Sequence, residues 1–278
     1  MSVTPSTAHA AVAPLSTDAL RVRLGARDVV CGVNLALHAG SLVALLGPNG
    51  AGKSSTLAAL AGDLPASGGR VSLDGRALDA WSATERAQRR AVLPQHASLA
   101  FDLPVLDVVC LGRAPFGDGR AEAEAIATDA LELVELGHKT ASSYLALSGG
   151  ERQRVQVARL LAQAWPTAEA RAHTCLLDEP VASLDPRQQH RVLGALRTLA
   201  DGGAAVVVVL HDVTLAAAYA DRLIVMRDGE VLADGTPNAV CCADVLEAAF
   251  DTGFSVHRGD DGRPVIAPRP MTAVAFSG

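Results

Sequence analysis

The residues Gly47-Pro48-Asn49-Gly50-Ala51-Gly52-Lys53-Ser54 follow the spacing glycine, any four residues, Gly-Lys-Ser. A loop of this kind cradles phosphate: its glycines let successive backbone N–H groups converge on phosphate oxygens, and a helix starting at its end adds the positive end of its dipole. Lys53 supplies charge to the terminal phosphates of a nucleotide, the Ser54 hydroxyl can ligate magnesium, and Ser55 heads the helix that follows. A glycine-rich turn used only as punctuation accounts for the glycines but not for Lys53-Ser54.

Further along, Cys175-Leu176-Leu177-Asp178-Glu179-Pro180 ends an apolar run in two acids. Beside a phosphate loop they take two jobs. Asp178 orients magnesium, directly or through water, and Glu179 polarises an attacking water, for which it must lie within hydrogen-bond reach. Taken alone, such a pair is an ordinary solvated turn. His211 directly follows the apolar residues 206–210 and is expected at the carboxyl edge of a sheet, where ligands bind in open α/β folds. There it could touch a terminal phosphate or merely cap the strand. Gln95, after Pro94, has an exposed-loop reading of equal weight.

Leu147-Ser148-Gly149-Gly150-Glu151 precedes Val155, Val157, Ala158 and Leu161, apolar residues at helical spacing. Ser148 is an N-cap candidate, and a serine with two glycines at a helix start is either an ordinary cap or a second anion-binding arrangement. Two such helix starts in a chain with one Gly-Lys-Ser loop suggest a nucleotide gripped by two chains.

Strands that end at these groups and helices that begin at them must do the positioning. Residues 18–46 read as short strands separated by Gly25, Gly32 and Ala39-Gly40, ending in the buried run Leu42-Val43-Ala44-Leu45-Leu46. Residues 55–61 form a helix closed by Gly62. Residues 70–78, with Asp74-Gly75, predict a hairpin, and residues 91–93 a short strand. Between His96 and Leu147 the pattern turns helical, with Pro104 opening one segment and residues 120–136 forming another that Gly137 ends. Strands follow at 174–177, 204–210, 222–226 and 230–233, with helices at 186–200 and 213–220. Alternation of this kind predicts an α/β fold whose largely parallel sheet is covered on both faces.

The 278 residues carry 24 Lys+Arg against 30 Asp+Glu, a net charge of −6, with 49% hydrophobic and 3% aromatic residues. That length makes one large or two modest domains and excludes a wholly disordered chain. An acidic, aromatic-poor chain without a basic block argues against nucleic acid as a partner. Residues 1–17, rich in Ala, Ser, Thr and Pro and free of Lys and Arg, are expected as a disordered tail without the basic start of a secretory signal. The longest apolar run, residues 204–210, is too short to cross a bilayer as a helix. The five cysteines show neither a disulfide framework nor zinc spacing and read as small core residues.

Together these residues resemble the ATP-binding subunits of ABC transporters, over about residues 18–250. In that family's terms residues 47–54 look like the Walker A loop, Gln95 the glutamine loop, residues 147–151 the signature, residues 175–179 the Walker B strand, Ser183-Leu184-Asp185 the D-loop and His211 the switch histidine. The resemblance implies a P-loop NTPase core with a mostly parallel sheet. An N-terminal antiparallel β subdomain, an inserted α-helical subdomain at about residues 96–160 and a C-terminal extension at 251–278 accompany it. It further implies ATP and Mg2+ as cofactors, with Ser54, Gln95 and Asp178 on the metal and Glu179, His211 and Gln95 in the chemistry. A head-to-tail homodimer follows, Ser148 and Gly150 of one subunit closing over ATP held by Lys53 of the other, with the helical insertion docked on a membrane permease. In one respect the sequence departs from the family: the aromatic residue that stacks on adenine should fall near Leu24, where the chain offers only Leu24 or Val22, so modest discrimination between ATP and GTP is expected.

A narrower resemblance is to the haem-importing subunits of the iron-siderophore and vitamin B12 branch. It is carried by Arg89-Arg90-Ala91-Val92-Leu93-Pro94-Gln95-His96, Val105-Leu106-Asp107-Val108-Val109, Leu111-Gly112-Arg113, residues 151–159 and the stretch 164–173. It implies an ATPase on the cytoplasmic face of the inner membrane, a peripheral subunit working with two transmembrane permease subunits and a periplasmic haem-binding protein. Ferric-siderophore or vitamin B12 uptake is the sister reading. A soluble, non-transport ABC ATPase is the other, though such proteins usually join two cassettes or carry a long coiled coil. His96, His173 and His190 are not expected to ligate haem, since energy coupling needs none on the ATPase. Asp260-Asp261-Gly262-Arg263-Pro264 predicts a hairpin turn at the end of the fold.

Overall fold

The computed structural model describes residues 12–95, 99, 101–166 and 174–269. The chain opens with β1 (Leu15–Leu24), β2 (Arg27–Leu37) and β3 (Leu42–Leu46), followed by α1 (Lys53–Ala61), β4 (Gly68–Leu73) and β5 (Arg76–Ala77). Next come α2 (Ala83–Ala87), β6 (Arg90–Leu93), α3 (Val105–Cys110), α4 (Arg120–Leu133) and α5 (Gly149–Gln163). β7 (Thr174–Asp178), α6 (Pro186–Asp201), β8 (Ala205–Val209), α7 (Val213–Tyr219), β9 (Arg222–Arg227) and β10 (Glu230–Gly235) complete the central layer. The chain closes with α8 (Pro237–Val240), α9 (Ala243–Phe250), β11 (Phe254–Arg258) and β12 (Pro264–Pro268).

The central sheet has the order β10-β9-β3-β8-β7-β6, parallel except at β10. Strands β3, β7 and β8 are buried at every residue, and β3 and β8 are the continuous Val/Leu/Ala runs expected of strands covered on both faces. Alternation divides them between two cores. Leu42, Ala44, Leu46, Val206 and Val208 join the core of α5, α6 and α7, while Val43, Leu45, Val207 and Val209 join that of α1 and the N-terminal sheet. That second sheet is antiparallel, in the order β2-β1-β4-β5. Asp74 and Gly75, both at positive φ, make the predicted hairpin turn between β4 and β5.

Several boundaries differ from the sequence reading. Strand β1 starts at Leu15, which is fully buried, so residues 15–17 belong to the sheet; residues 1–11 of the expected tail lie outside the described residues. Gly32 does not separate two strands. It is the extra residue of a bulge inside β2, at φ 80°, where the register steps from Leu20↔Val33 to Arg21↔Cys31. Helix α1 begins at Lys53 rather than Ser55. Helix α4 ends at Leu133 and not at Gly137: Glu135 takes the left-handed turn at φ 58°, with Leu136 N–H donating to Leu131 O and Glu135 N–H to Glu132 O. This is a Schellman closure with Glu where glycine usually signals one. Of the cysteines, Cys175 and Cys241 are buried, Cys31 and Cys110 half-buried, and Cys242 is exposed. Among the described residues no helix is long and apolar enough to cross a membrane.

Candidate functional site

Strand β3 stops at Leu46 and the phosphate loop turns back on glycine geometry. Gly47 has φ 139°, and a Cβ there would lie 2.1 Å from Met226 O; Gly52 has φ 99°, and a Cβ there would lie 2.4 Å from Val29 O. Any side chain at either position collides with backbone. Gly52 is also the N-cap of α1 and supplies no side-chain acceptor, so the first N–H groups of the helix are free for a ligand. The residues bearing them line a cavity of about 310 Å³ together with Arg27, Val29, Asn49, Gln95 and Glu179.

Lys53, 5% exposed, donates from Nζ to Gly47 O at 2.8 Å and Pro48 O at 2.9 Å. Burial pushes its ammonium below the ordinary lysine range, and the charges of Glu179 and Asp178 oppose that shift. Asp178 ends β7, is likewise 5% exposed, and its Oδ1 is buried without a hydrogen-bond partner. Burial pushes the Asp178 carboxyl upward; the Ser54 hydroxyl pulls against it, Glu179 adds to it, and Lys53 and His211 pull against it. An orphaned buried carboxylate oxygen beside a serine hydroxyl is a hard-oxygen donor set, and Mg2+ fits it.

Glu179 takes φ 51° directly after β7. Its Oε2 accepts from Gln95 Nε2 at 3.0 Å and its Oε1 lies 2.5 Å from His211 Nε2. The sheet explains this meeting. Strands β7 and β8 are parallel neighbours with Asp178 opposite Val209, so the residues that follow them emerge side by side, and β6 delivers Gln95 from the other flank of β7. Phosphate loop, two acids, histidine and glutamine therefore converge at one sheet edge.

Leu147, Ser148, Gly149, Gly150, Glu151 and Asp185 do not line this cavity. Ser148 caps α5, accepting from Glu151 N–H at 3.3 Å while its own N–H donates to Glu151 Oε2 at 2.9 Å. Asp185 caps α6, accepting from Gln188 N–H at 2.9 Å. Gly150 faces Leu184 and Ser183, so the two motifs adjoin each other rather than the loop at residues 47–54 of the same chain.

Arg27 and Val29 are the cavity residues that the sequence reading missed. They alternate at the start of β2 and so share a face, a period-2 signal that could have found them. Leu24 pairs with Arg27 across the hairpin but stays 47% exposed outside the cavity, and Val22 is buried in the core. His190 Nδ1 lies 2.8 Å from Tyr219 Oη; His96 and His173 lie outside the described residues.

Residues 30–182 match the family described as ABC transporter. The chain is 48% identical over 256 residues to the hemin import ATP-binding protein HmuV of Pseudomonas fluorescens strain Pf-5, covering 92% of this chain and 100% of that protein. Among solved structures it is similar to a metal-chelate type ABC transporter in an inward-facing conformation, with TM-score 0.75 and 25% identity over 93% of this chain and 98% of that one. It is also similar to a dimeric ATP-binding cassette in a post-hydrolysis state bound to ADP and Pi, with TM-score 0.71 and 26% identity over 80% of this chain and 98% of that one.

Proposed function

This chain belongs to the ABC transporter family, and from that premise we propose that it is the ATP-hydrolysing subunit of an importer that carries haem across the cytoplasmic membrane. The observation that supports the enzymatic part most directly is the set Gln95–Glu179–His211, hydrogen-bonded at a cavity whose other side is Lys53 and the phosphate loop. Near-complete alignment with a protein named for hemin import supports the cargo.

In this reading the N–H groups of residues 52–55 and the Lys53 ammonium hold the phosphate chain, Lys53 exchanging its two loop carbonyls for phosphate oxygens. Ser54, Asp178 and Gln95 would hold Mg2+, which when bound draws charge from the β- and γ-phosphate oxygens. Glu179 accepts a proton from the attacking water as its oxygen bonds to the γ-phosphorus. The bond to the bridging oxygen breaks, and ADP and phosphate leave. His211 and Gln95 each fix one oxygen of Glu179, which holds the carboxylate to one orientation.

The signature does not line the phosphate-loop cavity of its own chain, which favours a homodimer in which Ser148 and Gly150 of a second copy close over the nucleotide; the resemblance to a dimeric cassette supports the same arrangement. ATP binding closes this dimer and hydrolysis reopens it, with the movement leaving through the Gln95 loop. Two transmembrane permease subunits supply the path, a periplasmic haem-binding protein delivers the cargo, and this subunit sits on the cytoplasmic face. Glu179→Gln tests the chemistry. The variant keeps ATP binding and dimerisation and loses at least about a hundredfold in turnover; near-normal turnover removes Glu179 from the role of base.

A further inference from the structure

Helix α7 has seven residues and begins two residues after His211. So short a helix has little stability of its own, and its place is set by what it packs against. The C-terminal hairpin β11–β12 grips it. Thr214 Oγ1 donates to Ile266 O at 2.9 Å and accepts from Ile266 N–H at 3.2 Å, so a single hydroxyl satisfies both backbone groups of one β12 residue. Arg263 Nη1 donates to Ala217 O at 2.8 Å, one of the last-turn carbonyls that a helix leaves unpaired, and its charge sits at the negative end of the helix dipole.

The hairpin is itself firmly made. Gly259 N–H donates to Arg263 O at 2.8 Å, Arg263 N–H to Asp261 Oδ1 at 3.0 Å, and Gly262 takes φ 77° in the turn. Phe254 and Ile266 bury their side chains in the larger core. At its far end α7 is tied to α6 through Tyr219 Oη and His190 Nδ1 at 2.8 Å. Asp212 caps the near end, accepting from Leu215 N–H at 2.9 Å, and the residue before that cap is His211, against Glu179.

We propose that the C-terminal hairpin is a brace that holds His211 in register with Glu179 through α7, with Thr214 as its positioning residue. This rests on the reading that His211 serves Glu179 in ATP hydrolysis. Thr214 touches neither the phosphate cavity nor Glu179, so its effect on turnover must pass through His211. A shift of the order of 1 Å at a catalytic contact is enough to slow a reaction substantially.

The test is steady-state ATP hydrolysis by the full-length chain. Thr214→Val keeps the shape of the side chain and removes both hydrogen bonds. It lowers kcat about tenfold with KM for ATP within about twofold, and Thr214→Ser restores kcat. In a His211→Ala background the same Thr214→Val change has no further effect, because the group it positions is gone. Equal losses with and without His211, a raised KM at unchanged kcat, or no change at all would each overturn the brace. If His211→Ala itself turns over like the parent, the assignment of His211 falls and the brace with it. A slow His211→Ala beside a normal Thr214→Val overturns the brace alone. Should Thr214→Val not fold, Arg263→Gln breaks the second contact and is read in the same way.

Discussion

His211 Nε2 stands 2.5 Å from Glu179 Oε1, although the two residues follow different strands. Parallel pairing of β7 with β8, Asp178 opposite Val209, is what brings them together. His211→Ala should therefore lower kcat for ATP hydrolysis by about 10²–10³ while leaving ATP affinity within a few-fold, the split expected of a group that acts in the transition state. Calorimetric titration with ATP beside steady-state kinetics measures both; a loss confined to affinity would place His211 in nucleotide binding instead.

Asp178 is held above its ordinary carboxyl range chiefly by burial, with one oxygen unpaired. The native state then binds more protons than the unfolded chain between the ordinary value, about 3.9, and the raised native one. Its contribution to stability consequently falls as pH rises through that window, and at neutral pH the ionised group destabilises the metal-free protein. Asp178→Asn should be more stable than the parent by about 1 kcal/mol at pH 7 without metal, with the gap narrowing toward pH 4, and it should lose the stabilisation that Mg2+ with nucleotide gives the parent. Thermal melts at several pH values, with and without Mg2+, measure this.

The loop glycines are unequal. A Cβ at Gly47 meets Met226 O at 2.1 Å, whereas one at Gly50 meets nothing within 4 Å, although both residues have positive φ. Gly47→Ala should destabilise by about 2–4 kcal/mol and Gly50→Ala by only about 1 kcal/mol. Denaturant unfolding of the two variants side by side would contradict this if their midpoints coincided.

Selectivity for the base should be weak. Among the described residues no aromatic ring lines the cavity, and the described surface beyond the phosphate loop and the Gln95–Glu179 end is Arg27 and Val29. A guanidinium over a purine makes no choice between adenine and guanine. ATP and GTP should be hydrolysed with kcat/KM within about fivefold, and Arg27→Ala should weaken both alike. A preference of a hundredfold would show a base-reading contact that this cavity lacks.

Much of this arrangement was legible in the sequence, because its signals are local. Gly47 to Ser54, Asp178-Glu179 and His211 each sit where an apolar strand stops, and strand ends in a parallel sheet share an edge. What stayed hidden depends on contacts across the chain. Glu135 closes α4 without the glycine that marks such closures, and its carboxylate pairs with Arg187 of α6. Gly32 reads as a separator but is a bulge, since only the register of β1 against β2 reveals the extra residue. Taken alone Gln95 reads as any loop glutamine, and only the family resemblance singles it out; its place against Glu179 depends on β6 lying beside β7. The grip of Thr214 on Ile266 joins residues far apart in sequence, and no spacing rule predicts it.

The measurement that tests the central claim most directly replaces Glu179 by Gln in the native host and compares growth on haem, on a ferric siderophore and on free iron as sole iron source. Loss of growth on haem alone is the predicted result. Loss on the siderophore alone would contradict haem as the cargo and move the protein to the sister branch. Normal growth on all three would contradict a role in iron or haem uptake altogether.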